Sequence, residues 1–284
     1  MFSACVESFE FFYIDEQRGL REPIDGILGM SRNKPFFLAP SEGNKSGPLY
    51  IEALHRAGVI QANKFSFYFT SPSSLSWVDL GEPIEKNIKT DAVIKDVQFI
   101  EEDFFWGQFC QGVAIGDTTA PNSYAWAELE GYTTWRSDNS FYSIIDTGST
   151  AIMISSVYFE SLILNIFARV PEANWQFNER EGVVVTECNH EYPSVFFLFD
   201  GKWIEAAAKD YVFAIDDTQT ECILFILPAG MAMNIMGMPV FVDYYTIHDP
   251  LTGKVGYVPH NTSSKTDLTE GTPSTTQFLA VGEQ

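Results

Sequence analysis

From Ile223 to Val242 the chain runs twenty residues without a charge, ILFILPAGMAMNIMGMPVFV. A helix of that length would cross a bilayer. Yet Pro228, Gly230, Asn234, Gly237 and Pro239 leave no helical turn after the first undisturbed. Two short buried strands joined by an apolar turn fit the run better, so no membrane span is expected. Strands this apolar need a large core around them. With 284 residues, 45% of them hydrophobic and 24 of them Phe, the chain can supply one.

Strand signals dominate elsewhere too. KFSFYFT (Lys64–Thr70) alternates aromatic and polar residues, and YPSVFFLFDGKW reads as a hairpin turning at Asp200-Gly201. GVAIGD (Gly112–Asp117) and GKVGYVP (Gly253–Pro259) are strands punctuated by glycine. Helical patterns are few: Pro48–Gly58, opened by proline and stopped by glycine, and Ser155–Val170, with Ser155 as N-cap. A polar stretch over 118–140 reads as a loop insertion, and the Ser/Thr/Gly-rich residues 261–284 as a disordered tail. The fold class expected is mainly β.

The formal net charge of −21 would repel phosphate backbones, so no nucleic-acid partner is expected. It also suits a protein working at low pH, where protonation relieves negative self-repulsion. Four Cys and four His, with no CxxC or HExxH, leave no metal site to expect and call for no cofactor. No G-x-S-x-G presents a nucleophilic serine. Cys188 and Cys222 flank a strand-like stretch; on spacing alone they are a disulfide worth ~3 kcal/mol or two buried thiols. The pairing of Cys5 and Cys110 is open. The N-terminus carries Glu7 and Glu10 and no basic segment, so it does not read as a signal peptide.

SIIDTGST (Ser143–Thr150) carries the chemistry. Asp-Thr-Gly by itself is as readily a turn closing a strand. Here an apolar pair precedes it, and two hydroxyl residues and a second apolar run follow. A carboxylate held at a strand end by N–H and hydroxyl groups can stay ionised in an apolar cleft. The chain also echoes itself: DGILGM (Asp25–Met30) and MNIMGM (Met233–Met238) share two aliphatics, Gly and Met in register.

Together these segments resemble the pepsin-like aspartic peptidases. The closing lobe of that family carries hydrophobic-hydrophobic-Asp-Thr-Gly followed by two hydroxyl residues, as at Ile144–Thr150, with a hydrophobic-hydrophobic-Gly segment about ninety residues on. Asn234–Pro259 resembles that closing segment, and Pro23–Met30 its counterpart in the first lobe. Met238 stands where the family usually has Asp after the glycine. The resemblance implies a bilobal acid-protease fold and peptide hydrolysis by a water activated between two Asp, one from each lobe. Asp146 would be one of them, with Gly148, Ser149, Thr150 and Ile27 on the substrate side. It also implies a Cys188–Cys222 disulfide, a polypeptide substrate, a monomer, and a secretory, lysosomal, vacuolar or extracellular location. The Asn44 and Asn261 sequons agree with that location.

The spacing raises a difficulty. Asp146 stands 91 residues before Gly237; the same count back from Gly29 passes Met1. No second Asp-Thr-Gly occurs, and Asp15 and Asp25 are poor partners. The expected organisation is a truncated N-terminal lobe (1–95) without its Asp and flap, a catalytic C-terminal lobe (96–260), and the tail. The chain is then either a fragment of a protease or a short non-catalytic homologue that binds peptides or proteins. In both cases it is expected to be inactive alone and to need the missing N-terminal half for a complete cleft.

Overall fold

Strand-patterned sequence folds as strand almost throughout the residues that the computed structural model describes: 6, 9, 26–32, 49–70, 75–100, 104–116, 122–124, 141–230, 233–265 and 267–271. The first elements are α1 (Tyr50–Arg56), β1 (Phe65–Tyr68), β2 (Trp77–Leu80), β3 (Lys95–Gln98), β4 (Gly107–Gly116), β5 (Asn122–Tyr124), β6 (Phe141–Ile145) and β7 (Ile152–Ile154). Next come α2 (Ser156–Phe167), β8 (Trp175–Asn178), β9 (Val183–Glu187), β10 (Ser194–Phe199), β11 (Lys202–Ala206), α3 (Ala208–Tyr211) and β12 (Val212–Ala214). The last are β13 (Glu221–Leu224), β14 (Ile226–Pro228), β15 (Asn234–Met236), β16 (Tyr244–Asp249), β17 (Lys254–Pro259) and β18 (Thr269–Glu270).

The uncharged run resolves into the second half of β13, then β14, β15 and a 3-10 turn at Met238–Val240, three short strands rather than two. No described helix is long and apolar enough to cross a membrane. The Asp-Gly signal is met by a tight turn between β10 and β11, with Asp200 at φ 46° and Gly201 at φ 74°. Both values lie in the left-handed region that two-residue hairpins require.

Three sheets result. One runs β2-β1-β16-β17-β3; a nine-stranded sheet runs β14-β7-β15-β6-β4-β10-β11-β18 with β5 on β4; a third runs β12-β13-β9-β8. The first mixes strands from both ends of the chain. All four residues of β1 are buried although the sequence alternates, because Phe65 and Phe67 join the main core and Tyr68 packs in a second cluster with Tyr245, Ile247 and Val258. The main core joins Ile51, Phe65, Phe67 and Val97 to Ile115, Phe197, Phe241 and Tyr257. The division expected at 95/96 therefore falls within one sheet and one core.

The disulfide implied by the resemblance is present: Cys188, just past β9, bonds Cys222 on the neighbouring β13, with Cα atoms 5.1 Å apart. Cys110 is buried in β4 and bonds the Gly112 carbonyl through its thiol. The tail expected to be disordered from Asn261 is corrected over its first residues. Leu268 is buried, Thr269 and Glu270 pair with β11, and the Gly271 N–H donates to the Gly201 carbonyl. An apolar anchor and an open sheet edge order a polar segment that composition alone marks as loose. Cys5, Asp15, Asp25, Asn44 and residues 272–284 lie outside the described residues; so does the 118–140 insertion, apart from β5.

Candidate active site

Asp146 follows the last residue of β6, and six residues later the chain re-enters the same sheet as β7. The two strands do not pair with each other. β15 inserts between them, parallel to β6 (Asn234↔Ser143, Ile235↔Ile144, Met236↔Ile145) and antiparallel to β7 at Ile235↔Met153. The Asp146 N–H continues that parallel ladder onto the Met236 carbonyl at 3.0 Å. The loop then folds on itself. Gly148 N–H donates to Asp146 Oδ1 at 2.9 Å, Ser149 N–H to the Asp146 carbonyl at 3.2 Å, and Ser149 Oγ to the Ala151 carbonyl at 2.8 Å.

Gly237 is the seat of this loop. A Cβ there would stand 2.1 Å from the Ala151 carbonyl oxygen and 2.6 Å from that of Ser149. With φ at −92°, the position demands glycine for the closeness of the loop, not for backbone conformation. The adjoining Met238 N–H donates to the Ser149 carbonyl at 2.9 Å. Met238, where the resemblance leads one to expect Asp, thus joins the loop through its backbone.

The echoing glycine is in a different position. A Cβ on Gly29 would meet nothing within 4 Å among the described residues. Ile27 and Leu28 beside it are 72% and 59% exposed. The segment Gly26–Arg32 is held instead at its far end, where Arg32 N–H donates to the Phe104 carbonyl and the Arg32 guanidinium lies 3.9 Å over the Phe99 ring. One residue links it to the aspartate: Trp106 Nε1 donates to the Met30 carbonyl at 2.8 Å, and the Trp106 carbonyl accepts from Ile145 N–H at 3.1 Å.

Sequence reasoning missed Trp106 and Asn234. The signal for Trp106 was an indole next to Gly107 in an aromatic run, which reads as ordinary core. Asn234 is fully buried; its Oδ1 accepts from Ser155 N–H and its Nδ2 donates to Ser143 Oγ. It ties the strand leading into the Asp146 loop to the chain leaving β7. Ser155, expected as a side-chain cap for α2, makes no such bond; Asn234 holds its backbone N–H instead.

Of the substrate-side candidates, Gly148 and Thr150 are exposed beside Asp146, and Ser149 is half-buried with its hydroxyl committed to the loop. Ile27 is on the Gly29 segment, exposed and outside the Asp146 loop's hydrogen bonds. Asp146 itself is half-buried, with Oδ1 held by Gly148 and Oδ2 unbonded among the described residues. Such a carboxylate can accept a proton from water or polarise a carbonyl, but not both in one step. No described cluster of three His, Cys, Asp or Glu is placed to hold a metal.

Known proteins resemble the chain over most of its length. The family model described as eukaryotic aspartyl protease matches residues 3–260. Pepsin B of Canis lupus familiaris is 23% identical over 242 residues, which cover 82% of this chain and 54% of that protein. An acid protease of Saccharomycopsis fibuligera is 24% identical over 144 residues, covering 50% and 35%. The chain spans about half or less of the length of the curated relatives it matches.

Proposed function

The chain belongs to the eukaryotic aspartyl protease family, and on that premise we propose that it supplies one half of a two-aspartate peptidase site. Asp146 is the carboxylate of that half. Gly148 and Thr150 line its approach, with Ser149 shaping the loop. The observation that carries the reading is the seating of the Asp146 loop on Gly237, which presents a carboxylate at a strand end with one oxygen fixed and the other unbonded among the described residues.

Peptide hydrolysis needs a second carboxylate facing the first. Two carboxylates that close share one proton, so one activates the water while the other polarises the scissile carbonyl. The space left at Gly29 by the described residues, beside the exposed Ile27, supports placing that second loop on the Gly26–Met30 segment, from sequence outside these 284 residues. In this reading Ile27 faces an apolar side chain of the substrate once the cleft is complete. Residues 1–95 contribute to the first lobe and 96–260 form the second. The substrate is a polypeptide bound by a monomer, and the disulfide supports an oxidising compartment such as the secretory pathway, lysosome or vacuole, or the extracellular space.

The test is a chain extended upstream by its own coding sequence. It should hydrolyse an unfolded protein in acid, and Asp146→Asn should abolish turnover while leaving the fold intact. Hydrolysis that survives Asp146→Asn would remove this aspartate from the mechanism. An extended chain without a second Asp-Thr-Gly, and without turnover, would establish a non-catalytic binding module instead.

A further inference from the structure

Residues 261–265 and 267–271 follow the stretch matched by the family model, the first group against one sheet and the second against another. On the five-stranded side, Asn261 N–H donates to the Asn87 carbonyl, Tyr68 OH donates to Asn261 Oδ1 at 2.6 Å, and Lys89 Nζ donates to the Ser263 and Lys265 carbonyls. On the nine-stranded side, β18 pairs with β11, and Gly271 packs so tightly on the Trp203 indole that a Cβ would stand 2.3 Å from Nε1. Lys95 reaches across to Glu270 at 3.0 Å.

Midway along, Lys265 enters a buried cluster of charges. Its Nζ bonds Glu205 of β11 and lies 3.6 Å from Asp243. Asp243 is also paired with Lys209 of α3 at 3.2 Å, and Lys209 with Asp210 at 3.3 Å. Glu205, Asp210 and Asp243 are each only 6% exposed. The other groups facing the cluster are Ser194 and Ser263, which donate to Glu205 and Asp243, the Tyr244 ring 5.7 Å from the lysine, buried His260 near Asp243, and Asp267 on the strap.

We propose that the described residues of 261–271 form a strap that holds the two sheets together through Lys265 and lets go in acid, as the buried ammonium loses its counter-charges. A buried ammonium with both counter-charges protonated is costly, and the low-cost escape is to swing the strap into water. Three carboxylates around two lysines leave one negative charge in excess, so the first proton taken up does not break the clasp. Asp210 is suited to hold it, because burial and the neighbouring Asp243 raise its pKa to about 6. This device is independent of the role given to Asp146.

Hydrogen exchange on the 284-residue chain tests it, with protection corrected for intrinsic rates. Between pH 7 and pH 3 the amides of 268–271 should lose protection by roughly tenfold or more, while those of β10 keep theirs. The double variant Lys265→Met/Glu205→Gln should show the same strap protection at both pH values. Strap protection unchanged at pH 3, loss shared equally with β10, or a pH response that persists in the double variant would each overturn the proposal. Should the variant not fold, the wild-type pair of measurements still decides.

Discussion

Gly237 and Gly29 occupy matching places in the sequence echo, and the structure gives them opposite surroundings. A methyl at 237 would drive into two backbone carbonyls that have no rotamer to escape by. Gly237→Ala is therefore expected to destabilise by about 2–3 kcal/mol in urea unfolding. Gly29→Ala, with nothing in its way among the described residues, should stay within about 0.5 kcal/mol. Equal costs at the two sites would mean that the Asp146 loop is not seated on Gly237 as described. Asp146 and Gly237 were legible in the sequence because each belongs to a short, directional pattern. Asn234 and Trp106 were not. Their value lies in reaching residues 79 to 91 and 39 to 76 positions away, and no local pattern encodes such a reach.

At the scale of elements, strand content, the β10–β11 hairpin and both longer helices were readable, since alternation, Asp-Gly turns and Pro/Gly punctuation act locally. The insertion of β15 between β6 and β7 was not, because it is a choice of partner and not of conformation. The strap was misread for a similar reason: its order comes from Lys265 and Leu268 docking on distant strands. The same docking region sets a pH dependence. Asp210, in α3, has a folded pKa near 6 against about 4 for a free Asp, so the folded state favours its protonated form. Its contribution is complete below about pH 4 and is lost as pH rises through 6, by at most about 3 kcal/mol. Thermal unfolding of wild type and Asp210→Asn from pH 4 to 7 checks this. The wild type should lose stability relative to the variant as pH rises, and parallel curves would contradict it.

For the whole molecule, one sheet collects strands from the first hundred and the last forty residues, and one core runs beneath it. The lobe boundary expected from sequence at 95/96 falls within that sheet and core. Chain spacing raises the expectation of an aspartate without its partner, and that expectation awaits a direct measurement. The direct measurement is turnover of an unfolded protein at about pH 4 by the purified 284-residue chain, beside its Asp146→Asn variant and with and without pepstatin. If Asp146 lacks its partner, as proposed, the two proteins should give equal, background rates. Pepstatin-sensitive hydrolysis by the wild-type chain, lost in Asp146→Asn, would show that the chain completes its own site.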